Sequence, residues 1–437
     1  MGTRKEIVIQ DIDEKGFGIW KTLDGAIIRV PYVIPGERVL VKVISRKRGD
    51  AILLKVLEES DKRVYPLCPY FGVCGGCFWQ HIRYDEQLKL KHRIVERFFD
   101  FCLDSIRGII GADKIWRYRN KMEFAFGRGF IGITIGLRAR GRFDKVINID
   151  SCLIQKEEAD NVLRIVKKFV NEKNLTPYDP KKHEGFLRYL VIRSSYKTDQ
   201  LMANIITTSR EKFKIEELAK ILEVNSLIWS VSDSVADVAV GEIKAIIGRE
   251  FIEERILNLF IRIYPYSFFQ TNPIQAEKMY KLVKELVDEG NLALDLYAGM
   301  GIIGMIISER FEKIIGIEIV KEAIKAGKEN LEINEINNVC LLEGKVEEIL
   351  PSLVNEKIDV VITDPPRAGM HKKAIQALAK IKPQRIVYVS CNPKTQSRDI
   401  KYLLKLTNNG YQVSLVQPID MFPHTPHIEN VVALDLR

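Results

Sequence analysis

Long apolar segments are missing from this sequence of 437 residues: no uninterrupted apolar run approaches the length that crosses a bilayer. The sequence also lacks a positively charged start followed by an apolar stretch and a small-residue cleavage site. It contains no internal repeat and no low-complexity linker. These absences argue against a membrane-embedded or secreted protein, and we expect a cytoplasmic protein that has no membrane partner.

Cysteines and acidic residues are also in short supply. Seven cysteines in a protein expected to be cytoplasmic indicate thiol chemistry or metal ligation before disulfides. Lysine and arginine number 67 against 58 acidic residues, and the net charge of +9 favours a polyanionic partner. Because 46% of the residues are hydrophobic, the chain can build two or three cores, and we expect three.

Basic and aromatic side chains are interleaved between residues 116 and 145. That composition suits RNA phosphates and stacked bases. A two-faced antiparallel sheet with a charged outer face gives the same alternation, as in Met122-Glu123-Phe124, so both interpretations stay open.

Three domains are predicted from the order of predicted helices and strands along the sequence. Residues 1–60 read as five short strands separated by glycine-rich turns, which is typical of a small β-barrel of the oligonucleotide-binding kind. Residues 61–264 have a mixed α+β pattern, with further strands expected at 227–231, 237–240 and 245–248. Residues 265–437 alternate between helix and strand, which predicts an α/β domain with a doubly wound, mainly parallel, Rossmann-like sheet.

A nucleoside site is predicted at the start of this third domain. The segment from Leu294 to Gly301 follows a strand and opens a helix, and Glu318 ends the next strand, where it can accept hydrogen bonds from ribose hydroxyls. The glycine spacing is too short for the dinucleotide fingerprint and lacks its third glycine, which disfavours a nicotinamide cofactor. Together with Asp364-Pro365-Pro366, the segment resembles the donor site of S-adenosylmethionine-dependent methyltransferases.

Cys391 is the predicted nucleophile. It ends the apolar run of residues 385–389, and Asn392-Pro393 then breaks the strand. A cysteine at the exposed tip of a buried strand, beside a ligand crevice, is placed to attack a substrate. Arg367, close to the same crevice, is a candidate clamp for a phosphate group.

Four further cysteines form a candidate metal site. Cys68, Cys74 and Cys77 lie within ten residues, among closely spaced glycines, and Cys152 is a possible fourth ligand. A four-thiolate zinc ion and a [4Fe-4S] cluster are both chemically reasonable, and spacing alone does not separate them. Cys102 and Cys340 have no partners in the sequence, and we expect both to be core residues.

Taken together, the chain resembles the RNA (uracil-5-)-methyltransferases that carry an N-terminal TRAM domain and an iron-sulfur cluster and that act on 23S ribosomal RNA or transfer RNA. The resemblance runs through nearly the whole chain. Its carriers are residues 16–18, 68–77, 267–272, 295–299, 364–369, 390–393 and 421–429.

The resemblance implies a role for each matching residue. Cys391 would be the nucleophile and Glu429 the general base. The residues that contact S-adenosylmethionine would be Gln270, Tyr297, Glu318 and Asp364. The ligands of the [4Fe-4S] cluster would be Cys68, Cys74, Cys77 and Cys152. The sequence departs from the family at Ile302, where many members have Asn, and at Lys345, where many have a small polar or acidic residue.

The implied reaction is methylation of uracil C5 in RNA, by a monomer, through a covalent bond between Cys391 and C6. A specific uridine of 23S ribosomal RNA is slightly favoured, with uridine 54 of the transfer RNA T-loop close behind. Three alternatives stay open: a cytosine-5 methyltransferase, an amino-group methyltransferase, and a non-catalytic RNA-binding protein that keeps the cluster.

Overall fold

The N-terminal part of the chain forms one six-stranded sheet. The structure, a computed structural model, describes residues 3–45 and 47–437. The strands of this sheet are β1 (Thr3–Val8), β2 (Asp11–Ile12), β3 (Gly18–Lys21), β4 (Ile27–Val30), β5 (Arg38–Ser45) and β6 (Asp50–Glu58). Their order is β1-β5-β6-β4-β3-β2, antiparallel except for a short parallel contact between β4 and β6. All five predicted strands are present, and β2 is additional.

A second sheet of seven strands occupies the middle of the chain. Its elements, with the helix that precedes it, are α1 (Tyr84–Phe98), β7 (Lys121–Arg128), β8 (Ile133–Ala139), β9 (Arg142–Asn148), α2 (Glu157–Glu172), β10 (Leu187–Ser194), β11 (Leu201–Thr207), α3 (Ile215–Ala219), β12 (Ser226–Val231) and β13 (Glu242–Gly248). The strand order is β13-β12-β11-β10-β7-β8-β9. A hairpin of β14 (Ile252–Ile256) and β15 (Leu259–Ile263) follows.

The strand expected at residues 237–240 is wrong. Those residues form an irregular loop, because the buried Arg188 side chain takes up the carbonyl groups just before them. Its guanidinium donates hydrogen bonds to the carbonyl oxygens of Ser232, Ser234 and Ala236 at 2.8, 2.5 and 2.7 Å. A strand would need those acceptors for its ladder.

The C-terminal part is the doubly wound α/β sheet that the alternating pattern predicts. Its elements are α4 (Pro273–Leu286), β16 (Gly290–Leu296), α5 (Ile302–Ile307), β17 (Phe311–Glu318), α6 (Lys321–Ile333), β18 (Val339–Glu343), α7 (Val346–Ile349), β19 (Val360–Thr363), α8 (Lys372–Ile381), β20 (Arg385–Ser390), α9 (Pro393–Leu406), β21 (Tyr411–Ile419) and β22 (Glu429–Leu436). The strand order is β18-β17-β16-β19-β20-β22-β21, and β22 runs antiparallel to both of its neighbours.

Strand order reverses between β16 and β19, which creates a crevice outside their carboxyl ends. Ligands of open α/β sheets bind at such a switch point. Apolar side chains fill the space on both faces of the sheet, as continuous strands such as Val360–Thr363 require. The fold therefore presents the predicted donor residues along one edge.

Helix α1 packs on the C-terminal sheet although it precedes the middle sheet in the chain. Its side chains Leu90, Ile94 and Val95 are buried in the same core as Tyr388 and Ile400. Residues 106 and 110 then form parallel bridges to Val416 and Ile419 at the edge of β21. The predicted domain boundaries at residues 60 and 264 stay a prediction, and residues 78–113 physically cover the third domain.

A buried ion pair fixes this helix to the segment before β22. The Lys91 ammonium lies 2.5 Å from Asp420 Oδ1, and both side chains are fully buried. The Tyr84 hydroxyl donates to the other oxygen of Asp420 at 2.8 Å. Removing one partner of such a pair leaves a buried charge without compensation, which is strongly destabilising.

Several surface expectations need correction. Cys340 is exposed, because alternate residues of the edge strand β18 face solvent, and Cys102, in the segment after α1, is half-buried. Tyr118, Phe124 and Phe126 lie in the core of the middle sheet, so these three aromatic rings do not stack on RNA bases. Phe130 and Phe143 are exposed. Among the described residues, no helix has the length and apolar character to span a bilayer.

Candidate active site and cysteine cavity

The turn after β16 forms one wall of the crevice. Tyr297, Gly299 and Gly301 all have positive φ, at 60°, 58° and 74°, and glycine adopts this left-handed backbone without the steric cost of a Cβ. The turn brings the Gly299 N–H within 2.8 Å of Glu318 Oε2. The N–H groups of Ile319 and Val320 donate to Glu318 Oε1, each at 2.8 Å. The Glu318 carboxylate is therefore held in one orientation before any ligand binds.

Asp295 is a site residue that the sequence did not single out. It is fully buried at the end of β16, and the Gly304 N–H donates to its Oδ2 at 3.0 Å. Burial first, together with the nearby carboxylates of Asp364 and Glu318, raises the pKa of Asp295 to about 7. An acidic residue that ends a continuous apolar strand was the available signal.

The middle sheet holds the loop that carries Gln270. The Asn120 side-chain amide donates to the Gln270 carbonyl at 3.1 Å, and the Asn120 N–H donates to the Thr271 carbonyl at 2.9 Å. The buried Arg193 guanidinium donates to the carbonyls of Pro265 and Ser267 at 3.2 and 2.6 Å. Gln270 itself is buried, at the start of the connection to α4.

Strand pairing brings Cys391 beside Glu429. The antiparallel register of β20 and β22 pairs Ser390 with Asn430, and Cys391 and Glu429 are the next residues along the two strands. Glu429 is the first residue of β22. The buried Gln396 side chain reinforces the pairing, since it donates to the carbonyls of Tyr388 and Asn430 at 2.7 and 3.1 Å.

Three ionisable groups meet around the thiol. Burial first, and then the negative charges of Glu429 and Asp364, raise the pKa of Cys391 to about 11. The Arg367 guanidinium opposes this shift through its charge and a hydrogen bond to the thiol. Burial also raises the pKa of Asp364 to about 7. The pKa of Glu429 lies well above its usual value, because of burial first and the Asp364 charge second.

Arg367 is fixed to the Cys391 loop by its backbone. The Asn392 side-chain amide and the Thr395 hydroxyl donate to the Arg367 carbonyl at 2.9 and 3.2 Å. The guanidinium is exposed, and no acidic side chain in the described part of the chain forms an ion pair with it. It is therefore free to neutralise an anion that approaches Cys391.

The two departures from the family pattern supply no polar group to the crevice. Ile302 is buried in the core below α5. The Lys345 ammonium is exposed and bonds to Glu348 Oε1 at 2.8 Å. Donor contacts must come from the other residues of the crevice.

The four remaining candidate ligands line a single cavity. Cys68, Cys74, Cys77 and Cys152 open onto a space of about 970 Å³, which extends to Phe422, Thr425 and His427 in the segment before Glu429. Burial first, with a contribution from the other thiols of the group, raises the pKa of Cys77 to about 12 and that of Cys152 to about 11. The structure thus brings the four predicted cysteines together next to the active site.

These thiols do not converge on one point. In residues 3–45 and 47–437, no group of three or more His, Cys, Asp or Glu side chains could hold a metal ion. This finding shows neither a zinc ion nor a cluster, so the geometry does not decide between the two. In a [4Fe-4S] cluster each cysteine bonds a different iron, so the sulfurs stand around a larger body. Four thiols around one cavity are a suitable donor set for it, and the cluster stays a prediction.

Comparison with known proteins points to one family. The family model described as tRNA (uracil-5-)-methyltransferase matches residues 214–437. An RNA methyltransferase of Clostridium tetani, itself uncharacterised, is 38% identical over 99% of this chain and 98% of its own length. The tRNA (uracil(54)-C(5))-methyltransferase of Pyrococcus abyssi is 36% identical over 98% of this chain and 99% of its own.

A solved crystal structure is similar to this chain in fold as well as in sequence. It is the Pyrococcus abyssi tRNA (uracil-54, C5)-methyltransferase in complex with S-adenosyl-L-homocysteine. The TM-score is 0.83 at 32% identity, and the match covers 98% of this chain and 100% of the other. The shared architecture thus includes all three sheets, not the doubly wound sheet alone.

The electrostatics of the thiol give a first testable prediction. Replacing Arg367 by Met should slow alkylation of Cys391 by iodoacetamide, because loss of the guanidinium raises the thiol pKa and lowers the thiolate fraction. We expect a decrease of roughly three- to ten-fold near pH 8, measured by mass spectrometry of the Cys391 peptide. Lys394→Met is the matched control, because this ammonium pairs with Glu14 at 3.1 Å. Equal rates in the Arg367 variant and the unaltered protein would contradict the assignment.

Proposed function

The chain belongs to the tRNA (uracil-5-)-methyltransferase family and is an S-adenosylmethionine-dependent RNA (uracil-5-)-methyltransferase; from this premise we propose that it methylates uridine 54 of transfer RNA through a covalent adduct on Cys391. The observation that carries the proposal is the juxtaposition of Cys391 and Glu429 across the β20 and β22 strands. A nucleophile and a base on neighbouring strands are what methylation at a carbon of uracil requires.

Uracil C5 is too weak a nucleophile to attack a methyl sulfonium without activation. When the Cys391 thiolate adds to C6, a sulfur–carbon bond forms and the electrons of the C5–C6 double bond become available at C5. S-adenosylmethionine, when bound, supplies the methyl group that C5 then accepts. C5 now carries both a methyl group and a hydrogen. Glu429 removes that hydrogen as a proton, the C5–C6 double bond forms again, and the Cys391 sulfur leaves.

The pKa shifts suit these two roles. The resting thiol of Cys391 is neutral, since its raised pKa keeps most of it protonated, and Arg367 is the cation placed to favour the thiolate. A carboxylate whose pKa is raised binds a proton more tightly, so burial makes Glu429 a better acceptor for the C5 proton. Asp364 shares this environment, and the two carboxyl groups titrate together.

Residues of the crevice are proposed to bind the donor. The Glu318 carboxylate is oriented by three backbone N–H groups and keeps lone pairs that can accept hydrogen bonds from ribose hydroxyls. Tyr297, Gln270 and Asp364 line the remaining parts of the predicted donor site. A cationic sulfonium would be favoured by the acidic groups that meet there.

Transfer RNA takes precedence over the ribosomal RNA that the sequence favoured. The Pyrococcus abyssi enzyme is named for uridine 54 of transfer RNA, and it matches this chain over nearly its full length in sequence and in structure. The same family assignment leaves cytosine-5 and amino-group methylation without support. We further propose that the protein acts as a monomer, because one chain carries every residue named for the reaction.

We also propose that Cys68, Cys74, Cys77 and Cys152 hold a [4Fe-4S] cluster. Four thiols line one cavity, and the raised pKa values of Cys77 and Cys152 would keep those two neutral as free thiols. The cluster would fix the segment around Cys77 to the middle sheet, since Cys152 precedes α2 of that sheet.

The covalent mechanism predicts opposite results for two variants. Glu429→Gln should transfer one methyl group per chain and then stall as a protein–RNA adduct that survives denaturation, because the C5 proton stays in place. Cys391→Ala should form no adduct and no product. Adducts are measured by denaturing electrophoresis with labelled transfer RNA. Full multiple turnover by Glu429→Gln would remove Glu429 from the mechanism.

The target is tested with transcripts that differ by one nucleotide. Labelled methyl groups should enter a transfer RNA transcript and should not enter the same transcript with cytidine in place of uridine 54, because cytosine presents an amino group at C4 instead of the uracil carbonyl. A 23S ribosomal RNA transcript is the comparison. Methylation of the ribosomal transcript alone, mapped by mass spectrometry, would refute the transfer RNA assignment.

The cluster is tested by its iron content. Protein purified without oxygen should contain about four iron and four acid-labile sulfide atoms per chain. Cys152→Ser should lower both, whereas Cys340→Ser should change neither, because Cys340 is exposed on the edge strand β18 outside the cavity. Zinc without sulfide in the purified protein would overturn the cluster.

A further inference from the structure

The carboxylate of Glu429 is positioned by its backbone alone. In the described part of the chain, no side chain or N–H group donates a hydrogen bond to it, although it is only 3% exposed. One side of Glu429 is β22, whose ladder is fixed by β20. The other side is the segment of residues 420–428, which has no helix or strand of its own. Glu429 also pairs with Ile419 of β21, so this segment, here called the base loop, closes the β21–β22 hairpin at the residue that carries the carboxylate.

His424 is the pivot of the base loop. Its φ is +66°, in the left-handed region that a residue with a Cβ adopts only when its surroundings impose it. The N–H groups of Phe78 and Trp79 donate to its carbonyl at 2.8 and 2.9 Å. The Trp116 ring stacks on its imidazole, with centroids 3.9 Å apart. Backbone and ring of His424 are thus held by residues outside the C-terminal sheet.

The side-chain amide of Gln87 also fixes His424. The Gln87 side chain of α1 is fully buried, and its Oε1 accepts from the His424 N–H at 2.9 Å. Its Nε2 lies 3.3 Å from His424 Nδ1 and donates to the carbonyls of Ile82 and Trp79 at 2.8 and 3.1 Å. Gln87 therefore fastens the pivot to the same segment that receives the His424 carbonyl. Among the described residues, its hydrogen-bond partners are Trp79, Ile82 and His424, and neither Cys391 nor Glu429 is one of them.

We propose that Gln87 is a positioning residue for the general base: through His424 it sets the base loop, and so places Glu429 to remove the C5 proton. The inference rests on the proposed function, because it takes Glu429 as the base. Cys391 is held separately, by β20 and by the bonds of Asn392 and Thr395 to the Arg367 carbonyl. Loss of Gln87 must then slow proton removal while attack by Cys391 and methyl transfer continue.

Gln87→Met tests the proposal, because Met has a similar length and lacks both hydrogen-bonding groups. In a single turnover, the variant should transfer the methyl group at the rate of the unaltered protein. Its steady-state turnover should fall about ten- to hundred-fold, as expected for a displaced catalytic group. Methylated protein–RNA adduct should accumulate and then decay to product. A parallel fall in both rates without adduct, or no change in turnover, would overturn the proposal.

Trp116→Leu is a second variant, which loosens the His424 ring without leaving a buried polar group unpaired. It should show the same accumulation to a smaller extent, and Trp116→Phe should restore turnover by restoring the stacked ring. Normal turnover in a folded Trp116→Leu protein would also count against the base-loop model. This variant keeps the proposal testable if Gln87→Met does not fold.

Asn171→Leu is the matched control for loss of a bridging amide. Its side chain likewise accepts from and donates to one residue, at 2.8 and 3.1 Å from Ile133 N and O, in the middle sheet. We expect it to lower the unfolding temperature without accumulating adduct. Glu429→Gln separates the two hypotheses: if that variant forms no adduct, the proposed mechanism fails, whereas a stalled Glu429→Gln beside an unaffected Gln87→Met rejects the positioning role alone.

Discussion

The antiparallel pairing of β20 with β22 is the constraint on which the active site depends. The proposed reaction needs a sulfur and a carboxylate on one uracil ring, and Cys391 and Glu429 lie on different strands. A slip of one residue in the pairing would turn every side chain of a strand to the opposite face. Apolar cores cover both faces of this sheet, so polarity alone would not prevent such a slip. The buried Gln396 side chain holds the register, because it donates to the carbonyls of Tyr388 in β20 and Asn430 in β22. These two hydrogen bonds help to fix the geometry of the site.

The same burial explains the unusual electrostatics. Asp295, Asp364 and Glu429 have raised pKa values because low-dielectric surroundings disfavour their charged forms, and Arg367 is the one cation that opposes the shift at Cys391. In the absence of ligands the site is therefore biased toward neutral forms. A cationic methyl donor would favour the charged carboxylates, so donor binding and activation of the base are expected to support each other.

Local pattern predicted most of the elements, the strand-end positions of Cys391 and Glu318, and the grouping of the four cysteines, because short segments of sequence encode strand ends and glycine turns. The roles of these residues stay predictions. Sequence patterns failed to predict features that depend on contacts between residues far apart in the chain. The ion pair of Lys91 and Asp420 joins residues 329 positions apart. No periodicity in the sequence indicates that α1 packs on the C-terminal sheet. The loop at 237–240 looked like a strand because the effect of Arg188 on its carbonyls is tertiary. The role of Gln87 could not be predicted from the sequence for the same reason, since it depends entirely on tertiary contacts.

The N-terminal sheet belongs to this long-range design and is not a detachable arm. Gly16, with φ +87°, sits so tightly that a Cβ would lie 2.7 Å from Trp79 Nε1 and 2.9 Å from Pro426 Cβ. The Trp79 indole donates to the Gly16 carbonyl at 3.1 Å, and its backbone N–H binds His424. The sheet therefore touches the base loop directly. RNA bound to the sheet would be held at a fixed distance from Cys391, and a disturbance of the Gly16 turn would reach Glu429 through the same contacts that position it.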